Sequence, residues 1–254
     1  MLTDNELIRY SRHILLDDVG MQGQQQLKKA KVLILGMGGL GSPASLYLAA
    51  AGVGNLTICD FDHLTLSNLQ RQIAYQSDDI GIAKVTLMQS RLNKLNPEIN
   101  VRCVSNKMDE QQLNIELLLV DLVLDCTDNM HTRQRINSAC VNAKVPLIVG
   151  AAIRLEGQLS FFNHRDPTAA CYHCLFPNSD DPQLNCSNSG VLGPIVGTIG
   201  TLQALEAIKI IVGMKSSLSN QLKIFDGKTL QWQTFTINKD PNCQVCGKNE
   251  NNRK

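Results

Sequence analysis

Val32-Leu33-Ile34-Leu35-Gly36-Met37-Gly38-Gly39-Leu40-Gly41-Ser42 is the stretch on which the reading of this chain turns. Four consecutive apolar residues predict a strand buried on both faces, the kind found in parallel sheets. In the glycine run, Gly36 permits a tight turn, Gly38 or Gly39 lets the backbone approach a phosphate, and Gly41 lets a helix pack closely on the sheet. The Ala- and Leu-rich residues 42–51 predict that helix, with Pro43 tolerated in its first turn and Gly52 or Gly54 ending it. Its N-terminus offers unpaired N–H groups and partial positive charge to an anion. A second strand over 55–59 completes a βαβ unit. Asp60 at its end stands where a carboxylate accepts hydrogen bonds from ribose hydroxyls.

The alternation continues outward. Helical character over 81–95, 110–119 and 131–143 alternates with strands over 100–104, 121–125 and 145–149, which predicts an α/β fold with a doubly wound, mostly parallel, Rossmann-like sheet. Upstream, Thr3 and Glu6 form a capping-box signature, with Leu7, Tyr10 and Ile14 at helical spacing behind it. Downstream, a strand is expected over 158–163, a polar stretch over 178–190 and a long apolar helix over 193–212. Strands over 222–225 and 232–237, joined around Asp226-Gly227, predict a C-terminal antiparallel extension. No repeat or linker divides the chain. One domain over 1–247 is expected, with a polar, frayed tail over 248–254.

Composition narrows the function. The 254 residues are 43% hydrophobic, enough for a sizeable core, and Lys+Arg 24 against Asp+Glu 23 leaves a formal charge of +1. That balance gives no cationic footprint for nucleic acid. The longest apolar run, 190–213, is interrupted by Gln203, Glu206 and Lys209, so no membrane span is expected. Met1-Leu2-Thr3-Asp4-Asn5-Glu6 lacks the basic start and apolar stretch of a secretory leader. A cytoplasmic protein is the expectation.

Nine cysteines are many for a reducing compartment, where they serve as core, reactive or metal-bound thiols. Cys59, Cys103, Cys126 and Cys140 have apolar neighbours and read as small core side chains. Cys171-Tyr172-His173-Cys174 and Cys243-Gln244-Val245-Cys246 are two C-x-x-C pairs, which together complete a tetrahedral, closed and hence structural zinc site. His173, between one pair, is not expected to replace a thiolate. Cys186 lies in the polar stretch, where a thiol is either reactive, given nearby cations, or a dispensable loop residue.

Loop and Asp60 alone would suggest an NAD-dependent oxidoreductase. Asn68, Arg71 and Lys84, however, supply polar and cationic groups that nicotinamide chemistry does not need and a triphosphate does. Asp128, in Asp125-Cys126-Thr127-Asp128-Asn129 at the end of the next strand, is placed to hold Mg²⁺ between carboxylate and phosphate oxygens. Thr127 and Asp128 also read as caps of the following helix.

These motifs, Asp60-Phe61-Asp62 and Ser67-Asn68-Leu69-Gln70-Arg71-Gln72 included, resemble the ubiquitin-activating E1-like superfamily. Over nearly its whole length the chain is similar to the sulfur-carrier adenylyltransferases (ThiF, MoeB and HesA). The resemblance implies that ATP·Mg²⁺ adenylates the C-terminal glycine carboxylate of a ubiquitin-fold carrier and releases pyrophosphate. It implies nucleotide contacts from Gly36, Gly38, Gly39 and Gly41, ribose held by Asp60, triphosphate bound by Asn68, Arg71 and Lys84, and magnesium on Asp128. Arg12, in Tyr10-Ser11-Arg12-His13, matches an arginine that reaches the neighbouring subunit's triphosphate, which implies a homodimer. Cys186 matches a cysteine implicated in sulfur transfer, with a desulfurase or rhodanese-type protein as donor. Residues 10–18, Asn185-Cys186 ahead of 190–197, and 225–228 are more similar to the thiazole branch, whose carrier is ThiS-like, although Phe176 stands where its pattern has tryptophan. A MoaD-like molybdopterin carrier is the alternative, and a non-catalytic E1-like scaffold would lack these polar residues.

Overall fold

Val32 and Ile34 pack into one core, Leu33 and Leu35 into a second on the opposite face of the same strand, and all four are buried. In the computed structural model, which describes residues 1–177 and 189–247, this strand is β1 (Lys31–Leu35). The eight-stranded sheet has the order β3-β2-β1-β4-β5-β6-β7-β8. The strands β2 (Asn55–Cys59), β3 (Asn100–Val104), β4 (Leu122–Asp125) and β5 (Leu147–Ile153) join β1 in parallel register. Antiparallel pairing then adds β6 (Glu156–Phe162), β7 (Gln221–Asp226) and β8 (Gln231–Thr236). The sheet is doubly wound and mostly parallel, with the antiparallel C-terminal extension.

Helices cover both faces. The layer over Val32 and Ile34 holds α3 (Gly20–Lys29), α4 (Gly41–Ala50), α5 (Lys84–Leu95) and α9 (Gly193–Ile211). The layer over Leu33 and Leu35 holds α6 (Glu110–Leu117), α7 (Met130–Ala143) and the short α8 (Tyr172–Leu175). Of the two glycines placed to end α4, Gly52 does so: its φ is +83°, its N–H donates to Ala49 O (3.1 Å) and Val53 N–H donates to Leu48 O (3.0 Å). This is a Schellman motif, which satisfies carbonyls the helix end would leave unpaired.

The structure departs from the sequence reading in four places. The capping box forms, Thr3 Oγ1 accepting Glu6 N–H and Glu6 Oε2 accepting Thr3 N–H, but the first helix breaks at Tyr10 into α1 (Asp4–Arg9) and α2 (Ser11–Ile14). Tyr10 turns inward, and its buried hydroxyl accepts from Asn96 Nδ2 at 2.8 Å. The helix α3 was not foreseen, because its polar sequence GMQGQQQLKK hides the buried face of Gly23, Gln24 and Leu27. The strand β5 runs on through Gly150-Ala151-Ala152, where small side chains carry little strand signal and the antiparallel ladder to β6 holds the backbone. Finally, α9 is by length and composition apolar enough to cross a membrane, contrary to the expectation. In the fold it lies on the sheet, with Gln203 and Glu206 buried and Gln203 Nε2 donating to Asp125 O at 2.8 Å.

The expected core cysteines behave as such. Cys59, Cys126 and Cys140 are buried and Cys103 is half-buried; burial pushes the Cys59 thiol up to about 12 and Cys103 up to about 11. Residues 178–188, with Cys186, and the tail 248–254 lie outside the described residues.

Candidate active site

The chain reverses winding direction at β1, which lies between β2 and β4, and in such sheets a crevice opens at the carboxyl ends of the strands. The glycine loop fills the turn from β1 to α4. Gly36 has φ +93°, and a Cβ there would sit 2.8 Å from Cys126 O. A Cβ on Gly41 would lie 1.8 Å from Gly36 O, so the helix can close under the loop only with glycine at that position. No side chain caps the N-terminus of α4; Ser42 N–H donates instead to Gly38 O (3.0 Å) and Pro43 has no N–H, so an anion in the crevice depends on the amides of the glycine loop itself.

Asp60 braces this loop. Its Oδ2 accepts Met37 N–H at 2.7 Å and its Oδ1 accepts Asp62 N–H at 2.9 Å. Burial pushes its carboxyl up, opposed by the nearby Lys84 ammonium and by these two amide donors. Tyr75 Oη donates to Met37 O at 2.6 Å and so fixes the following peptide of the same residue.

A cleft of about 450 Å³ brings Gly36, Gly38, Gly39, Asp60, Asn68, Arg71, Lys84 and Asp128 together, a volume in the usual range for small-molecule sites. Gly41 does not line it but packs beneath the loop. Arg12, exposed on α2, does not line the cleft of its own chain. Asn68 accepts Thr65 N–H on Oδ1 (3.3 Å), which turns its amide NH₂ to be the free donor. Arg71 Nη1 donates to Ser67 O (3.0 Å), holding the guanidinium at the cleft wall. Lys84 is buried and pairs with Asp62 at 2.9 Å.

Beyond β4, the cap of α7 is Asn129, whose Oδ1 accepts Thr132 N–H at 2.9 Å; neither Thr127 nor Asp128 takes that role. Thr127 is bound back to Asp125 Oδ1 through its amide and hydroxyl (2.9 and 2.7 Å), and Arg133 Nη2 donates to Thr127 O at 2.7 Å. Asp128 is thus left exposed on the cleft that Arg71 and Lys84 also line, and its carboxylate is the kind of hard oxygen donor that fits Mg²⁺ alongside phosphate oxygens.

Sequence reasoning missed part of the wall. Met108, Leu113 and Ile136 make an apolar side next to Asp60, with Arg135 Nη2 donating to Met108 O at 3.3 Å. Gln72 lines the cleft with a buried Oε1 that lacks a protein partner. Gln72 closes the motif over 67–72, which by itself assigns it no role; Met108 and Arg135 carry no local signature at all.

The four C-x-x-C thiols converge behind α8. All four Sγ atoms lie within 4.8 Å of one another, with separations of 3.9 Å (Cys171 to Cys174), 3.7 Å (Cys171 to Cys243) and 3.4 Å (Cys174 to Cys246). A tetrahedron of thiolates around Zn²⁺ at about 2.3 Å has edges of about 3.8 Å, so the cluster fits that ion. A hydrogen bond from Cys246 draws the Cys171 thiol down to about 5, against burial, while the Cys243 and Cys246 thiols are pushed up. One thiolate forms readily, and a cation favours the ionised form of Cys243 and Cys246. His173 stays outside the cluster, its Nδ1 3.2 Å from Gln134 Oε1.

The ThiF family model matches residues 10–245. The sulfur carrier protein ThiS adenylyltransferase of Escherichia coli (strain K12) is 47% identical over 247 residues, 97% of each chain. The molybdopterin-synthase adenylyltransferase of the same organism is 44% identical over 246 residues, 97% of this chain and 98% of that one. Among solved structures, E. coli MccB with AMPCPP and MccA superposes with a TM-score of 0.83 at 25% identity, covering 94% of this chain and 74% of that one. A nicotinamide-dependent oxidoreductase is thereby set aside. With the family model spanning residues 10–245 and two adenylyltransferases aligning almost end to end, the chain belongs to the ThiF family and is an adenylyltransferase.

Proposed function

We propose that the protein uses ATP·Mg²⁺ to adenylate the C-terminal glycine carboxylate of a ThiS-like ubiquitin-fold carrier, with pyrophosphate as leaving group, for thiamine thiazole synthesis. The observation that carries this reading is the single cleft uniting the glycine loop, Asp60, Asn68, Arg71, Lys84 and Asp128. The base lies against Met108, Leu113 and Ile136, the ribose at Asp60 and the triphosphate between the loop amides, Asn68, Arg71 and Lys84. Asp128 holds the magnesium, which neutralises phosphate charge when bound. A carboxylate nucleophile is already ionised at neutral pH, so alignment and charge stabilisation replace a general base. The cleft wall also includes Ala152, Val191 and Val196, the last packed against Gly39, and these apolar side chains suit an unbranched glycine tail.

The remaining parts of the reading have separate support. Arg12 would complete the neighbouring subunit's triphosphate site in a homodimer. An apolar groove of Pro43, Leu46, Tyr47, Ala50, Ile73, Ala74 and Leu95, with Ile73 78% exposed, supplies a surface that association would cover. The Cys₄ cluster holds structural zinc. Cys186 would assist sulfur transfer from a desulfurase or rhodanese-type donor to give the carrier thiocarboxylate. Free thiols at all eight described cysteines suit a cytoplasmic setting, and residues 1–247 act as one unit.

A MoaD-like carrier is the second reading, favoured by the 44% identical molybdopterin-synthase adenylyltransferase. ATP–pyrophosphate exchange with purified ThiS-like and MoaD-like carriers tests both. Exchange is expected with the ThiS-like protein. Faster exchange with the MoaD-like protein would reassign the branch, and no exchange with either would refute the carrier reading. Cys186→Ala should still make adenylate but stall in thiocarboxylation.

A further inference from the structure

Lys84 opens α5, and its side chain is only 5% exposed. An ammonium is strongly hydrated in water, so taking it into the fold demands a counter-charge. Asp62 supplies it, Oδ2 to Nζ at 2.9 Å. The main chain holds this carboxylate in place: Asp62 N–H donates to Asp60 Oδ1 (2.9 Å) and Asp62 O accepts Lys84 N–H (3.1 Å). Yet Asp62 itself is 52% exposed and lines the cleft. It can return to water at little cost, whereas Lys84 cannot.

A polyphosphate entering this cleft brings negative charge to the same ammonium. Asp60 and Asp62 already place two carboxylates beside it, and like charges at contact distance disfavour one another. We infer that Asp62 is a stand-in anion: it neutralises Lys84 while the cleft is free of nucleotide, and gives the ammonium up to a phosphate group of ATP. The inference rests on the reading of Lys84 as a triphosphate ligand. The exchange keeps Lys84 aimed into the cleft before binding and makes the net gain per phosphate contact smaller. It also favours ligands with enough charge to win the ammonium, a triphosphate over a monophosphate. Asp62 is therefore a residue that sets nucleotide affinity and selectivity, apart from the chemical step.

The test uses the full-length protein, with Asp62→Asn and Asp62→Ser made alone and in a Lys84→Met background. MgATP affinity without carrier is measured by calorimetry, alongside melting curves with and without MgATP. Asp62→Asn should tighten MgATP by roughly two- to fivefold, the range for an ion pair that is partly solvated. It should lower the melting temperature of the free protein and leave that of the MgATP-saturated protein close to the wild type. In the Lys84→Met background the same change should leave MgATP affinity unaltered. Weaker MgATP binding by Asp62→Asn would overturn the inference, since Asp62 would then be holding Lys84 in the bound state. Equal tightening in the Lys84→Met background would overturn it as a general charge effect. If Lys84→Met binds MgATP as tightly as the wild type, the reading of Lys84 itself fails, and that outcome is distinct from the other two.

Discussion

Removing the zinc proposed for the Cys₄ cluster should cost this protein about a third of a typical domain's stability. Cys171 and Cys243 are 72 residues apart in sequence and their sulfurs lie 3.7 Å apart in the fold, so a shared ion closes a long loop. The chain-entropy relation for a cross-link of that span gives about 4 kcal/mol. That figure is an upper estimate, because α9, β7 and β8 within the loop are also held by their own packing. For a chain of this length, each kcal/mol moves the melting temperature by about 2–4 °C, so a drop of about 10 °C is expected. The assay is metal analysis of the purified protein, which should give one zinc per chain. Circular-dichroism melts follow, before and after stripping with a strong chelator, with Cys246→Ser as an independent route to the same state. Stripped protein that is free of zinc and melts within ~2 °C of the untreated protein would refute the reasoning. It would mean that packing alone secures the C-terminal segment.

Two further outcomes follow from buried groups. His164 stacks on Phe162, and burial, with Lys239 nearby, holds its imidazole down to about 4. The unfolded imidazole takes a proton near 6.5, which the folded one refuses until about 4, so stability should fall as pH drops through that window, by about 3 kcal/mol in all. His164→Gln should flatten this dependence in denaturant titrations between those pH values; an unchanged slope would exclude His164 as its source. Gly41→Ala sets a methyl group 1.8 Å from Gly36 O, and Gly36 is itself tied by its N–H to Cys59 O at 2.8 Å. The loop must shift, which should cost about 1–3 kcal/mol and sharply weaken MgATP binding; wild-type melting and affinity would show that the loop gives way freely.

How much of this was legible depended on how local the governing physics is. The strand at β1, the glycine loop and Asp60 could be read because an apolar run, a positive φ and a close backbone approach each demand particular residues within a few positions. The cap of α7 was misjudged by one or two residues, since Thr127, Asp128 and Asn129 all have capping side chains. Asp125 and Arg133 decide among them by binding Thr127 from both sides. Gln72, Met108 and Arg135 were missed because their place in the cleft depends on where β4 and α7 come to rest.

The sequence by itself determined the kind of fold and the chemistry on offer: alternating strands and helices, amides for a phosphate, cations after Asp60, and two thiol pairs. Those are properties of residue type and short spacing. The tertiary structure alone decided which of these groups meet. It set the two C-x-x-C pairs across one tetrahedron, directed Asp128 to the cleft and seated Asp62 against Lys84. Such encounters join segments far apart in the chain, and only the packing of helices on both faces of a twisted sheet determines their separation.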